Sequence, residues 1–271
     1  MSFLFISQIT IKIEVMDALI NIKLPSTILC VAKRNQGKSF LIQSLLYEWL
    51  KRGRLKSHNI IVMSSTAATN GEYDFLPSEN IRYGYDEDLL KQVITWQKRR
   101  LALLKKRATA ANVQINLPAI LCLMDDCLSA SGKKGHTFSP TLKYLFCQGR
   151  HFKISIIFCS QLSKVIASPT IKAQSDHILV SQLSAEQLKA VHAVTSGKTM
   201  REFQSMIAGL ENHNFMLYDT LQTSGDRWSM VRATGFNDGK FRVVFANQKK
   251  KKSIKASEGE EGTKGKCKCK E

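Results

Sequence analysis

Three patterns follow one another within residues 28–49, and together they restrict the fold more than anything else in this chain. An apolar run at 28–31 (ILCV) gives way to a polar octet at 32–39 (AKRNQGKS), and then Phe40, Leu41, Leu45, Leu46 and Trp49 recur at helical spacing. A short apolar run without alternation reads as a strand buried on both faces, and the recurrence after it reads as an amphipathic helix. The octet between them has the spacing of a Walker A loop, with alanine in place of the first glycine. Such a loop aims its backbone amides at an anion that the following helix dipole also attracts. In this reading Ala32, Lys33, Arg34, Asn35 and Gln36 form the cradle and Phe40 continues the helix. Gly37 lets the backbone approach a phosphate, Lys38 carries a positive charge to it, and Ser39 supplies a hydroxyl for Mg²⁺. Ala32 is small where the strand turns out, so its departure from glycine is expected to be tolerated. A second GKT, at residues 197–199, lacks a buried strand before it and reads as a helix boundary.

Further buried runs follow at 59–63 (NIIVM), 119–124 (AILCLM), 154–159 (ISIIFC) and 178–180 (ILV). Between them lie a polar, turn-rich connection at 64–80, a long helix at 86–107 and a helix around 140–148. Strands alternating with helices predict parallel βαβ units, an α/β fold with a mostly parallel sheet and helices on both faces. After residue 184 the pattern changes to two helical stretches, then to three runs at 215–218, 228–233 and 241–245 that read as antiparallel strands. The expected organisation is an N-terminal strand or extension at 1–24, a core at 25–183, a C-terminal part of the same domain at 184–247 and a tail at 248–271. From residue 249 the tail carries nine lysines and four glutamates, too polar to bury a core.

The run at 119–124 ends in Asp125 and Asp126, the form of a Walker B strand. Asp125 is placed to hold Mg²⁺ through its water shell, and Asp126 to orient or deprotonate an attacking water. Aspartate at 126 is one methylene shorter than the glutamate common there in related ATPases. Downstream, Arg150 precedes the strand at 154–159 and Gln161 follows it, so the two fall at opposite ends of that strand. If the strands at 119–124 and 154–159 are parallel neighbours, Gln161 comes to the same edge as the acids. Arg150 then lies too far away for its own site and is in reach of a neighbouring subunit's nucleotide.

Walker A, the paired aspartates, the preceding Arg150 and the following Gln161 together resemble the FtsK/HerA superfamily of DNA-pumping ATPases. The likeness is nearest to the poxvirus-type genome-packaging ATPases of large DNA viruses, virophages and polinton-like elements, and it covers roughly residues 24–180. The resemblance implies a RecA-like core that takes ATP and Mg²⁺ and assembles into a homo-oligomeric ring, a hexamer or pentamer. It also implies threading of double-stranded DNA into a preformed capsid, with a capsid or portal-vertex protein as partner. By the same resemblance Lys38, Ser39, Asp125, Asp126 and Gln161 act in cis and Arg150 acts in trans. The protein would then work in the host cytoplasm or a viral factory, or travel with the virion.

Charge points the same way. The chain is formally +18 at neutral pH, which favours a polyanionic partner. Its long helix carries Lys91, Lys98, Arg99, Arg100, Lys105, Lys106 and Arg107 with no acid among them, a pattern suited to sequence-independent phosphate contacts. Lys133 and Lys134, in the glycine-rich loop after the acids, are second DNA-binding candidates. The seven cysteines form no disulfide framework, Cys267 and Cys269 are too sparse for zinc, and no charge-free apolar stretch reaches the roughly 18 residues that span a bilayer. A soluble, intracellular, non-secreted protein is expected. Two other readings stay open: a related plasmid, conjugative or helicase motor, and a nucleotide-gated DNA-binding capsid protein with weak hydrolysis.

Overall fold

The computed structural model describes residues 18–111, 114–127, 139–161, 168–195 and 197–233. Eight strands form one sheet: β1 (Thr27–Val31), β2 (Ile60–Ser64), β3 (Ile81–Arg82), β4 (Ile120–Asp125), β5 (Ile154–Ser160), β6 (His177–Val180), β7 (Asn214–Asp219) and β8 (Trp228–Arg232). Among the described residues the sheet is accompanied by α1 (Lys38–Lys51), α2 (Ala67–Asn70), α3 (Glu87–Ala111), α4 (Pro140–Gln148), α5 (Pro169–Gln174), α6 (Ala185–His192) and α7 (Met200–Ala208).

The strand order is β3-β2-β4-β5-β1-β6-β7-β8. Pairing is parallel from β3 through β6 and antiparallel at β6–β7 and β7–β8. The central strands are buried along their whole length, β1, β4 and β5 at every residue, because helices cover a parallel sheet on both faces. Alternate residues supply the two cores. Leu29, Val31, Cys122, Met124, Ile156 and Phe158 join one cluster with Leu90 of α3, Leu145 of α4, Val191 of α6 and Phe203 of α7. Intervening residues such as Ile28, Cys30, Leu123 and Ile157 are equally buried, as are Leu41, Leu45, Leu46 and Trp49 of α1.

The α/β architecture, the parallel core and the antiparallel end agree with the sequence reading. β3 does not appear in that reading, because two residues are too few to make an apolar run. Helix α3 extends four residues beyond the predicted end at 107, since nothing in its alanine-rich continuation stops a helix. Residues 1–17 of the expected N-terminal strand or extension, the predicted strand at 241–245 and the lysine-rich tail lie outside the described residues. No helix among the described residues is long and apolar enough to cross a membrane.

Candidate functional site

β1 ends at Val31 and α1 begins at Lys38, so the polar octet is the loop joining a buried strand to a helix N-terminus. Ala32 is fully buried, which is why a small side chain suits that exit. Asn35 (φ 60°) and Gly37 (φ 84°) take left-handed backbone, and the turn at Gly37 opens directly into α1. The first turn of α1 carries no acidic residue and no side-chain cap, leaving its N–H groups directed at an external anion. Bonds from both directions brace the loop. The Lys33 amide donates to the Gln182 carbonyl at 3.0 Å and the Leu41 amide to Gly37 at 2.9 Å. The Lys38 ammonium folds back on the carbonyls of Ala32 at 3.2 Å and Lys33 at 3.0 Å.

β4 and β5 are parallel neighbours with Asp125 opposite Cys159, so Gln161 reaches the acids. Its side-chain amide donates to Asp126 Oδ2. Asp126 adopts left-handed backbone, φ 45°, fixed by its own amide on the Cys159 carbonyl at 3.2 Å and by the Ser65 hydroxyl on its carbonyl at 3.1 Å. Asp125 is 4% exposed and accepts a hydrogen bond from the Tyr73 hydroxyl at 2.8 Å. Burial raises its carboxyl from 3.8 to about 6, the negative charges of Asp126 and Glu72 add to that, and the Tyr73 hydroxyl and Lys38 oppose it.

These groups surround one cleft of about 450 Å³, lined by Arg34, Asn35, Lys38 and Ser39 on one side and by Asp125, Asp126 and Gln161 on another. The segment after β2 contributes Ser65, Thr66, Asn70 and Glu72. That volume suits a small ligand, and its polar groups converge as a ligand site requires. Ser39 and Asp125 both line it. Among the described residues no group of three or more acidic, histidine or cysteine side chains is placed to hold a metal by itself, so a divalent cation here would rest on Ser39, Asp125, water and a ligand's own oxygens. Glu72, in the lining of the cleft, has its Oε2 buried without a hydrogen-bond partner.

Sequence reasoning missed three contributors. Tyr73 and Glu72 fall in what reads as a polar connection, and no local pattern shows that this connection folds over β4. Gln187 reads as an ordinary helix residue. Its side chain donates to the Gln161 carbonyl at 2.6 Å while also closing the capping box of α6 with Ser184.

Arg150 lies at the opposite edge of the sheet, as its place before β5 requires. Its guanidinium donates to Asp176 Oδ1 at 2.6 Å and to Gln174 Oε1 at 3.3 Å. Asp176 is itself buried and accepts from the Thr27 amide at 2.8 Å, tying β1 to the start of β6. On α3, the Lys98 ammonium sits 4.5 Å from the centre of the Tyr144 ring, and the Arg100 guanidinium 4.9 Å from that of Trp96. Arg99, Lys105, Lys106 and Arg107 are exposed. Lys133 and Lys134 lie outside the described residues. The second GKT marks the start of α7, where the Thr199 hydroxyl accepts from the Glu202 amide.

A loop-bearing β1 separated by one strand from an acid-bearing β4 defines the fold of the P-loop ATPases. The chain is similar to the genome packaging NTPase B204 of Sulfolobus turreted icosahedral virus 2 in complex with AMPPCP, at a TM-score of 0.52 and 15% identity over 79% of this chain and 100% of that one. It is similar also to ATPases 2 and 3 of EssC from Geobacillus thermodenitrificans, at a TM-score of 0.53 and 15% identity over 85% of this chain and 44% of that one. The fold expected from the likeness to FtsK/HerA-type ATPases is therefore present. No family model matches the sequence. Two curated viral proteins do: uncharacterized protein L437 of Acanthamoeba polyphaga mimivirus, 25% identical over 62% of this chain, and uncharacterized protein 088R of Invertebrate iridescent virus 3, 30% identical over 57%. The chain spans 57% and 52% of their lengths, about half of each.

Proposed function

We propose that this chain is an ATPase that translocates double-stranded DNA to package a viral genome. The observation that carries the reading is the single cleft in which the glycine-hinged loop, Lys38, Ser39, Asp125, Asp126 and Gln161 meet. Loop amides and Lys38 bind the β- and γ-phosphates. Ser39 and Asp125 would hold Mg²⁺, whose charge would offset that of the phosphates. Asp126, positioned by the Gln161 amide, accepts a proton from water as the water oxygen bonds to the γ-phosphorus. The bridging P–O bond to the β-phosphate breaks and ADP leaves.

Arg150 serves a neighbouring subunit in a hexameric or pentameric ring, and to do so it exchanges Asp176 for that subunit's γ-phosphate. The exposed bases of α3, with Lys133 and Lys134, contact the DNA backbone without regard to sequence, and a capsid or portal-vertex protein receives the ring. Support for DNA comes from the formal charge of +18, from the B204 packaging NTPase among its structural neighbours and from the viral source of both curated relatives. The fold alone does not select the cargo. Phosphate release measured with and without duplex DNA tests the proposal. DNA stimulates turnover and Lys38→Ala abolishes it. Turnover indifferent to DNA, or retained in Lys38→Ala, refutes the reading.

A further inference from the structure

The turn between α7 and β7 brings a ring against the phosphate loop from the side away from the acids. His213 has φ 67°, backbone that a residue with a Cβ seldom adopts and that is enriched at functional sites. Its imidazole stands so close to Gly37 that a Cβ built there would lie 2.4 Å from His213 Nδ1. The same ring meets Phe40 edge-on, centroids 5.5 Å apart and planes at 62°.

The turn itself is tied to strand ends. The Ala233 amide donates to the His213 carbonyl at 2.8 Å, and the Ser181 hydroxyl to the Asn214 carbonyl at 2.8 Å. The backbone therefore fixes where the ring starts, while the ring remains exposed and Phe40 half-buried.

What these rings face follows from the strand order and rests on the proposal that the loop holds a nucleotide's phosphates. Asp125, Asp126 and Gln161 come from β4 and β5, all on one side of β1. The terminal phosphate, where water attacks, points to that side. The nucleoside, at the other end of the polyphosphate, leaves on the opposite side of β1, where β6 ends and β7 begins. His213 and Phe40 are the rings that stand there beside the loop. We infer that His213, with Phe40, contacts the nucleoside of the bound nucleotide, so that the site distinguishes a nucleoside triphosphate from a bare polyphosphate. Aromatic side chains hold a base through its π-face, and imidazole adds a hydrogen-bonding edge.

Calorimetric titration of the full chain with MgATP and with magnesium tripolyphosphate tests this. His213→Asn removes the ring and keeps a residue that tolerates left-handed backbone, and His213→Tyr restores an aromatic face. In His213→Asn, ATP binds about tenfold more weakly, within the range for losing one base–aromatic stack. Tripolyphosphate affinity is unchanged, and His213→Tyr recovers most of the loss. Phe40→Leu, which leaves the turn untouched, reproduces the selective loss. Unchanged ATP affinity in His213→Asn, or equal loss of both ligands, overturns the inference. Lys38→Ala weakens both ligands. If it weakens neither, the phosphate-loop reading fails instead, a result separable from any obtained at His213.

Discussion

Replacing Arg150 by alanine leaves the Asp176 carboxylate buried with only the Thr27 amide at 2.8 Å and the Ser26 hydroxyl at 3.4 Å as partners. Breaking a fully buried ion pair costs about 3–5 kcal/mol. The Arg150 side chain is 38% exposed and that of Asp176 is 5% exposed, so water screens one end and the expected loss falls to about 2 kcal/mol. For a folded body of this size that corresponds to a fall of about 4–8 °C in Tm. Urea unfolding followed by circular dichroism, with Arg150→Lys as a partial rescue, measures it. A loss below about 0.5 kcal/mol would place the variant among ordinary surface substitutions and refute the idea that this pair ties β1 to β6. The proposed service to a neighbouring subunit separates cleanly from that tie. Asp176→Asn keeps the guanidinium and removes its partner, so turnover survives in Asp176→Asn and fails in Arg150→Ala if Arg150 works in trans.

Asp125→Asn is expected to stabilise the metal-free protein at neutral pH while abolishing hydrolysis. The folded-state carboxyl sits near 6 against an ordinary 3.8, so its contribution is fully present below about 3.8 and lost as pH rises through 6. A shift of that size is worth about 3 kcal/mol at most. Urea midpoints of the two proteins in EDTA should converge as pH falls from 7 to 5. Tyr73→Phe removes the hydroxyl that favours the ionised Asp125 and raises that carboxyl further, so half-maximal Mg²⁺ for phosphate release increases. Gly37→Ala places a Cβ in left-handed backbone and against His213, at an expected cost of about 1–2 kcal/mol with weakened ATP binding. Thermal melts and calorimetry check both effects.

The sheet was legible because buried parallel strands are continuous apolar runs, as at 28–31 and 154–159, and the loop because its spacing lies between a strand and a helix. Gln161 could be brought to the acids by strand direction alone. What stayed hidden depends on tertiary placement. The partner of Asp125 is Tyr73, 52 residues earlier, and the partner of Arg150 is Asp176, 26 residues later. Neither pair leaves a periodic trace. His213 sits in a polar turn whose closeness to Gly37 arises only when β6 pairs with β1 and β7 with β6.

The Gln187 side chain grips the Gln161 carbonyl, and the Gln161 side chain grips Asp126. Asp126 and the opening turn of α6, distant in sequence, are thereby joined through two successive side-chain bonds. Gln161 is thus held at both ends, its side chain on Asp126 and its carbonyl by the first turn of α6.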